Sequence, residues 1–160
     1  FKIEKNDDIK RLYLKHNFAL LKILKRQIKN IKYKKLKSKP QKFTNKKINK
    51  WIEGTTDLVS FRKMKFEEIN AIVNSLKYPF KGAASYLKNK LIKIHDLKKN
   101  NEKIKGKFLP GEIVKIKDFD LIVKITKGSL LIKELEYQGR HMLPSHLANL
   151  INLKKKDRFY

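Results

Sequence analysis

At 160 residues and 19.0 kDa the chain has the length of one ordinary domain with an extension, and 41% hydrophobic residues supply a modest core. Lys+Arg 41 against Asp+Glu 15 leaves a formal net charge of +26, a self-repelling balance that asks for a polyanion, with nucleic acid the default ahead of acidic membrane or protein surfaces. The absence of cysteine excludes disulfides, thiolate metal sites and cysteine nucleophiles, and no apolar run approaches the roughly 20 residues that span a bilayer.

Residues 1 to 30 lack the compact apolar region and cleavage site of a secretory signal. Phe1 in place of a methionine suggests a removed leader or a trimmed longer chain. The first predicted element is a helix over Asn6 to Asn30. Asn6, Asp7 and Asp8 offer capping and dipole-favourable groups at its start. Ile9, Leu12, Tyr13, Phe18, Leu20, Leu21, Ile23, Leu24 and Ile28 recur mostly at three-to-four spacing, which predicts one packed face. The opposite face carries Lys10, Arg11, Lys15, Lys22, Lys25, Arg26 and Lys29.

From Ile31 to Trp51 the periodicity fades, which predicts an extended arm. Lys32, Lys34, Lys35, Lys37, Lys39, Lys42, Lys46, Lys47 and Lys50 stand there with Pro40 and no carboxylate. Ile9 through Ile52 holds 16 Lys or Arg and no Asp or Glu, so this region has no internal ion pairs to make. Each lysine set on a phosphate releases condensed counterions and steepens the salt dependence of binding by about 0.7 to 0.9 in log–log slope. Tyr33, Phe43 and Trp51 are candidates for stacking on unpaired bases, at roughly 1–3 kcal/mol each, against the plainer reading that they anchor the arm.

After the turn-like Glu53-Gly54-Thr55-Thr56, the stretch Phe66 to Leu76 predicts a short amphipathic helix, with Phe66, Ile69, Ile72, Val73 and Leu76 on one side. Tyr78-Pro79 ends it and Gly82 supplies permissive backbone. Period-two patterning then predicts strands at Ala83 to Leu87, Lys90 to Leu97, Gly111 to Lys117, Leu121 to Thr126 and Leu130 to Tyr137. A closing helix follows from Ser145, placed to cap it, to about Leu153. Five strands at this spacing suggest an OB-like barrel, since closure removes exposed edges.

These residues resemble a family. Thr56 to Phe61, the helix Glu67 to Leu76 and the cluster Tyr78-Pro79-Phe80-Lys81-Gly82-Ala83 are similar to the C-terminal domain of methionyl-tRNA formyltransferase and related formyltransferases. Lys90 to Ile94, Pro110 to Val114 and Gly128 to Leu135 follow in the family's order. The helix opening Asp8-Ile9-Lys10-Arg11-Leu12-Tyr13, with Pro40-Gln41 further on, resembles the family's connector. The resemblance implies a barrel and connector that help to hold tRNA. It also implies that formyl transfer, with its folate and its Asn, His and Asp catalytic set, belongs to a preceding nucleotide-fold domain not found in these residues.

His16, His95, His141 and His146 are scattered in sequence, and the His141 to His146 spacing is not that of a zinc-binding helix turn, so no metal is expected. The pairs Glu67-Glu68 and Glu134 with Glu136 read as solvated faces, and His95-Asp96, read as a strand end, lacks a nucleophile partner. No phosphate-cradling glycine loop is present. The expected fold is α+β, with a basic helix and arm over 1–58, an OB-like barrel with flanking helices over 59–153 and a basic tail over 154–160. The expected function is that of a non-catalytic RNA-binding protein, with no catalytic residue, cofactor, membrane or small-molecule substrate. Its expected place is as a structural ribosomal component, mitochondrial or else cytoplasmic, on rRNA ahead of tRNA and beside other ribosomal proteins. The alternative is the tRNA-binding C-terminal portion of a methionyl-tRNA formyltransferase.

Overall fold

A computed structural model describes residues 1–4, 6–33, 39–40, 58–117 and 119–160. The chain divides into two compact units, Phe1–Glu53 and Gly54–Tyr160. In the first, α1 runs from Ile9 to Lys32. It starts at Asp8, whose carboxylate accepts the Arg11 backbone N–H at 2.9 Å and so satisfies one of the orphan donors of the first turn. The helix continues through Ile31 and Lys32, where an extended arm was expected, because Ile28 and Ile31 keep the helical step and lysine is a good helix former. No residue of α1 is buried, so the expected packed face stays exposed.

The second unit carries the core. α2 spans Phe66–Leu76, as the periodicity predicts. The Glu68 carboxylate accepts the Lys65 backbone N–H at 2.7 Å, and Glu67 and Glu68 complement the positive end of the helix. Ile69 and Val73 are buried beneath it, with Phe66, Ile72 and Leu76 partly so.

Six strands follow: β1 (Ala83–Leu87), β2 (Lys90–Asn100), β3 (Ile113–Lys117), β4 (Asp120–Lys124), β5 (Ser129–Tyr137) and β6 (Arg140–Met142); α3 (Pro144–Leu150) comes after them. All pairings are antiparallel, in the order β1-β2-β5-β4-β3, with β6 beside the far end of β5. Two-residue turns join β1 to β2 through Lys88-Asn89 and β5 to β6 through Gln138-Gly139. Both central residues of each have positive φ, the geometry that matches hairpin twist.

Several expectations need correction. β2 extends to Asn100, because Lys98 and Lys99 pair with Leu131 and Leu130 through their backbones although their side chains break the alternation. β6 was not anticipated, since Gln138-Gly139 is a weak hairpin signal. α3 begins at Pro144, the favoured first helical residue, so Ser145 does not cap it. His95-Asp96 lies inside β2, at a register shift against β5.

The expected closed barrel does not form by strand pairing, for β1 and β3 do not meet. The segment 156–160, expected as a tail, lies along both of their edges. Against β3, Ile113 donates to the Asp157 carbonyl at 2.8 Å and Phe159 to the Gly111 carbonyl at 2.9 Å. Against β1, Leu87 bridges Phe159, and Tyr160 donates to the Tyr86 carbonyl at 2.9 Å. Phe159 is fully buried, with its ring centroid 4.8 Å from that of Phe61. Gly111 permits the approach: its φ is +93°, and a Cβ there would fall 2.4 Å from the Phe159 carbonyl oxygen.

Candidate nucleic-acid interface

On α1 the cations Arg11, Lys15, Lys22, Arg26 and Lys29 recur at steps of three, four and seven residues, which places them on one face. Lys15 is occupied: its ammonium lies 2.6 Å from Asp7 Oδ2 and 3.7 Å from Glu4 Oε2. The hydrogen bond from Lys15 holds the Asp7 carboxyl below its usual value, and the same bond raises the lysine. Lys22, Lys25, Arg26 and Lys29 are exposed, and among the described residues no carboxylate lies within 4.0 Å of them. Lys32 sits over the Tyr33 ring at 5.9 Å, and Tyr33 caps the helix with its side chain exposed. Lys39 is also exposed. The remaining candidates Lys34, Lys35, Lys37, Lys42, Lys46, Lys47, Lys50, Phe43 and Trp51 lie outside the described residues.

A second cationic surface, which sequence reasoning missed, belongs to the sheet unit. The loop between β2 and β3 folds over β3 and β4 to leave a groove of about 510 Å³. Lys103, Lys105, Lys115 and Lys155 line it, with Phe108, Ile104, Ile116 and Ile122 forming an apolar floor. Lys155 lies over the Phe108 ring at 5.3 Å, a cation–π contact. The one carboxylate among the lining residues is Glu102, which Lys117 engages at 3.6 Å. A legible signal existed: Lys103, Lys105 and Lys107 occupy every second position before Phe108. It falls between strands, where alternation is not normally read.

The acidic residues weighed for catalysis are engaged in other ways. Glu68 caps α2, Glu67 lies 4.0 Å from Lys99, and Asp96 pairs with Lys77 at 3.2 Å. Glu134, exposed as expected, holds His141, whereas Glu136, expected on a solvated face, is largely covered and holds His95; these two histidines, scattered in sequence, stack with ring centroids 4.3 Å apart.

Residues 52–150 match the sequence model of the formyl transferase C-terminal domain. No curated protein matches the chain. Among solved structures, a six-substitution variant of HypX from Aquifex aeolicus has a TM-score of 0.68 at 17% identity, over 86% of this chain and 24% of that one. HypX from the same organism in complex with tetrahydrofolic acid has a TM-score of 0.63 at 15% identity, over 88% of this chain and 26% of that one. The chain thus spans about a quarter of the length of these proteins, and the likeness is one of fold. With the family match covering more than half of the chain, its strands and α2 included, the protein belongs to the formyl transferase C-terminal domain family.

Proposed function

We propose that this chain is a non-catalytic RNA-binding module, in which a formyltransferase C-terminal fold serves as the rigid base for phosphate-binding lysines. The observation that carries the reading is the set Lys22, Lys25, Arg26 and Lys29, exposed on one helix and matched by no nearby carboxylate among the described residues. Uncompensated cations at helical spacing suit a phosphate backbone, because each contact gains free energy from counterion release. The groove of Lys103, Lys105, Lys115 and Lys155 adds a second set of phosphate-sized positions, and Phe108 offers an apolar surface beside them. We place the module on rRNA, as a structural component of a mitochondrial ribosome in contact with neighbouring ribosomal proteins, because a formal net charge of +26 suits an extensive polyanion.

Family membership favours a second reading, in which the chain is the tRNA-holding portion of a methionyl-tRNA formyltransferase. Filter binding of the full chain to rRNA fragments and to initiator tRNA, titrated with salt, separates the two by preference. The combined variant Lys22→Gln, Lys25→Gln, Arg26→Gln, Lys29→Gln should lower the log–log salt slope by about 3 for both RNAs. An unchanged slope removes α1 from the interface, and binding of the native chain that ignores salt rejects the RNA reading altogether.

A further inference from the structure

The face of β2, β5 and β6 gathers three donor groups that the RNA reading does not use. Lys93 pairs with Glu136 across β2 and β5, and Glu136 pairs with His141 across β5 and β6. Directly paired residues project to the same side of a sheet, and so does His95, two residues beyond Lys93. A register shift at His95 breaks the ladder there, and such bulges commonly re-aim a side chain. Gly82 makes the space the ring needs: a Cβ at that position would lie 2.6 Å from His95 Cε1.

The donors converge on one oxygen. Glu136 Oε2 is 2.9 Å from His95 Nε2 and 3.7 Å from His141 Nε2. All three ligand atoms lie within 4.8 Å of one another. A tetrahedral ion with bonds of about 2.0–2.1 Å holds its ligands about 3.3 Å apart; the two separations to Glu136 bracket that value, and the two imidazole nitrogens, up to 4.8 Å apart, must draw together on binding. The other Glu136 oxygen, Oε1, is taken by the Lys93 ammonium at 2.6 Å, which fixes the carboxylate and leaves Oε2 to the imidazoles. On the far side of the His141 ring, Nδ1 contacts Glu134 Oε1 at 2.8 Å; the carboxylate oxygen accepts, so Nδ1 is the donor there and Nε2 is the ring nitrogen turned to the cluster. A carboxylate behind a histidine in this way is the usual outer support of a metal ligand.

We propose that His95, Glu136 and His141 form a binding site for a divalent transition-metal ion of the zinc class, with Glu134 as the carboxylate that orients His141. Two imidazoles and a carboxylate suit Zn²⁺ and its neighbours better than Mg²⁺ or Ca²⁺. His95 is buried and Glu136 nearly so, while His141 is exposed, so the ion enters from the His141 side and keeps a coordination position open to solvent there. The site belongs to the sheet unit alone and does not depend on RNA binding.

The test uses the full chain stripped of metal and titrated with Zn²⁺ by calorimetry, and with Co²⁺ by its visible ligand-field bands. One ion per chain should bind, with release of the proton that lies between His95 Nε2 and Glu136 Oε2. His141→Ala, at an exposed position that folding tolerates, should weaken binding at least tenfold and abolish the Co²⁺ bands. Glu134→Gln should weaken it by about 10- to 100-fold. His146→Ala should change neither. Zn²⁺ uptake that survives His141→Ala unaltered, or no uptake at micromolar concentration, overturns the site and leaves a metal-free histidine pair sharing the Glu136 carboxylate.

Discussion

Asp7 is a single carboxylate that decides how α1 begins. It accepts the Glu4 backbone N–H at 2.8 Å and the Lys15 ammonium at 2.6 Å, so it ties the residues before the helix to its second turn. The Lys15 hydrogen bond holds its carboxyl below the ordinary 3.8. A depressed folded-state value contributes its full stabilisation above the unfolded value and loses it as pH falls through the lower one. An NMR titration of the Asp7 carboxyl should therefore show its midpoint below 3.8, and Lys15→Gln should move that midpoint upward; a midpoint unmoved by the substitution would mean that the pair does not hold in solution. The same pairing explains why Lys15, placed by sequence with the free cations of its face, is a poor phosphate ligand. Its acid partners precede Ile9, outside the acid-free window that singles out the region.

At the scale of elements, the segment that completes the sheet is the short run 156–160. Phe159→Ala should cost about 3–5 kcal/mol, because it removes a fully buried ring from its contact with Phe61. It should also expose both strand edges, raising hydrogen exchange at the Ile113 amide of β3 and at the Tyr160 amide that donates to β1. Chemical denaturation with exchange on the same variant checks both, and a loss near 1 kcal/mol with protected edges would show that the backbone bridges hold without the ring. Local pattern was enough to read the elements with one clear face: α2 and β1 have the bounds that their apolar spacing predicts. It was not enough where backbone pairing overrides side-chain pattern, as at Lys98 and Lys99, or where a three-residue strand is too short to carry a period, as in β6. Lys154 to Arg158 are all charged, so the run reads as solvent until Phe159, next to it, is seen in the core. The histidine site was illegible for a further reason. It needs cross-strand register and a shifted residue, which no spacing along one chain encodes.

For the whole molecule, the formal charge of +26 acts on stability and on binding in opposite senses. Added salt weakens contact with RNA but relieves self-repulsion in the folded chain. The melting temperature of the free protein should accordingly rise with moderate salt. At low salt it should rise further when RNA is added, by an amount equivalent to about 2.7 kcal/mol at a ligand concentration 100 times Kd. Scanning fluorimetry with and without an rRNA fragment tests this, and a polyanion that binds without stabilising would mean that it associates with unfolded chain as readily as with folded.

The position of Phe159 has a consequence for proteolysis. Trimming of the run 156–160 would leave β1 and β3 with uncovered outer edges, and bare strand edges are templates on which a second chain can pair. A protease that removes so little would thereby turn a capped sheet into a starting point for self-association.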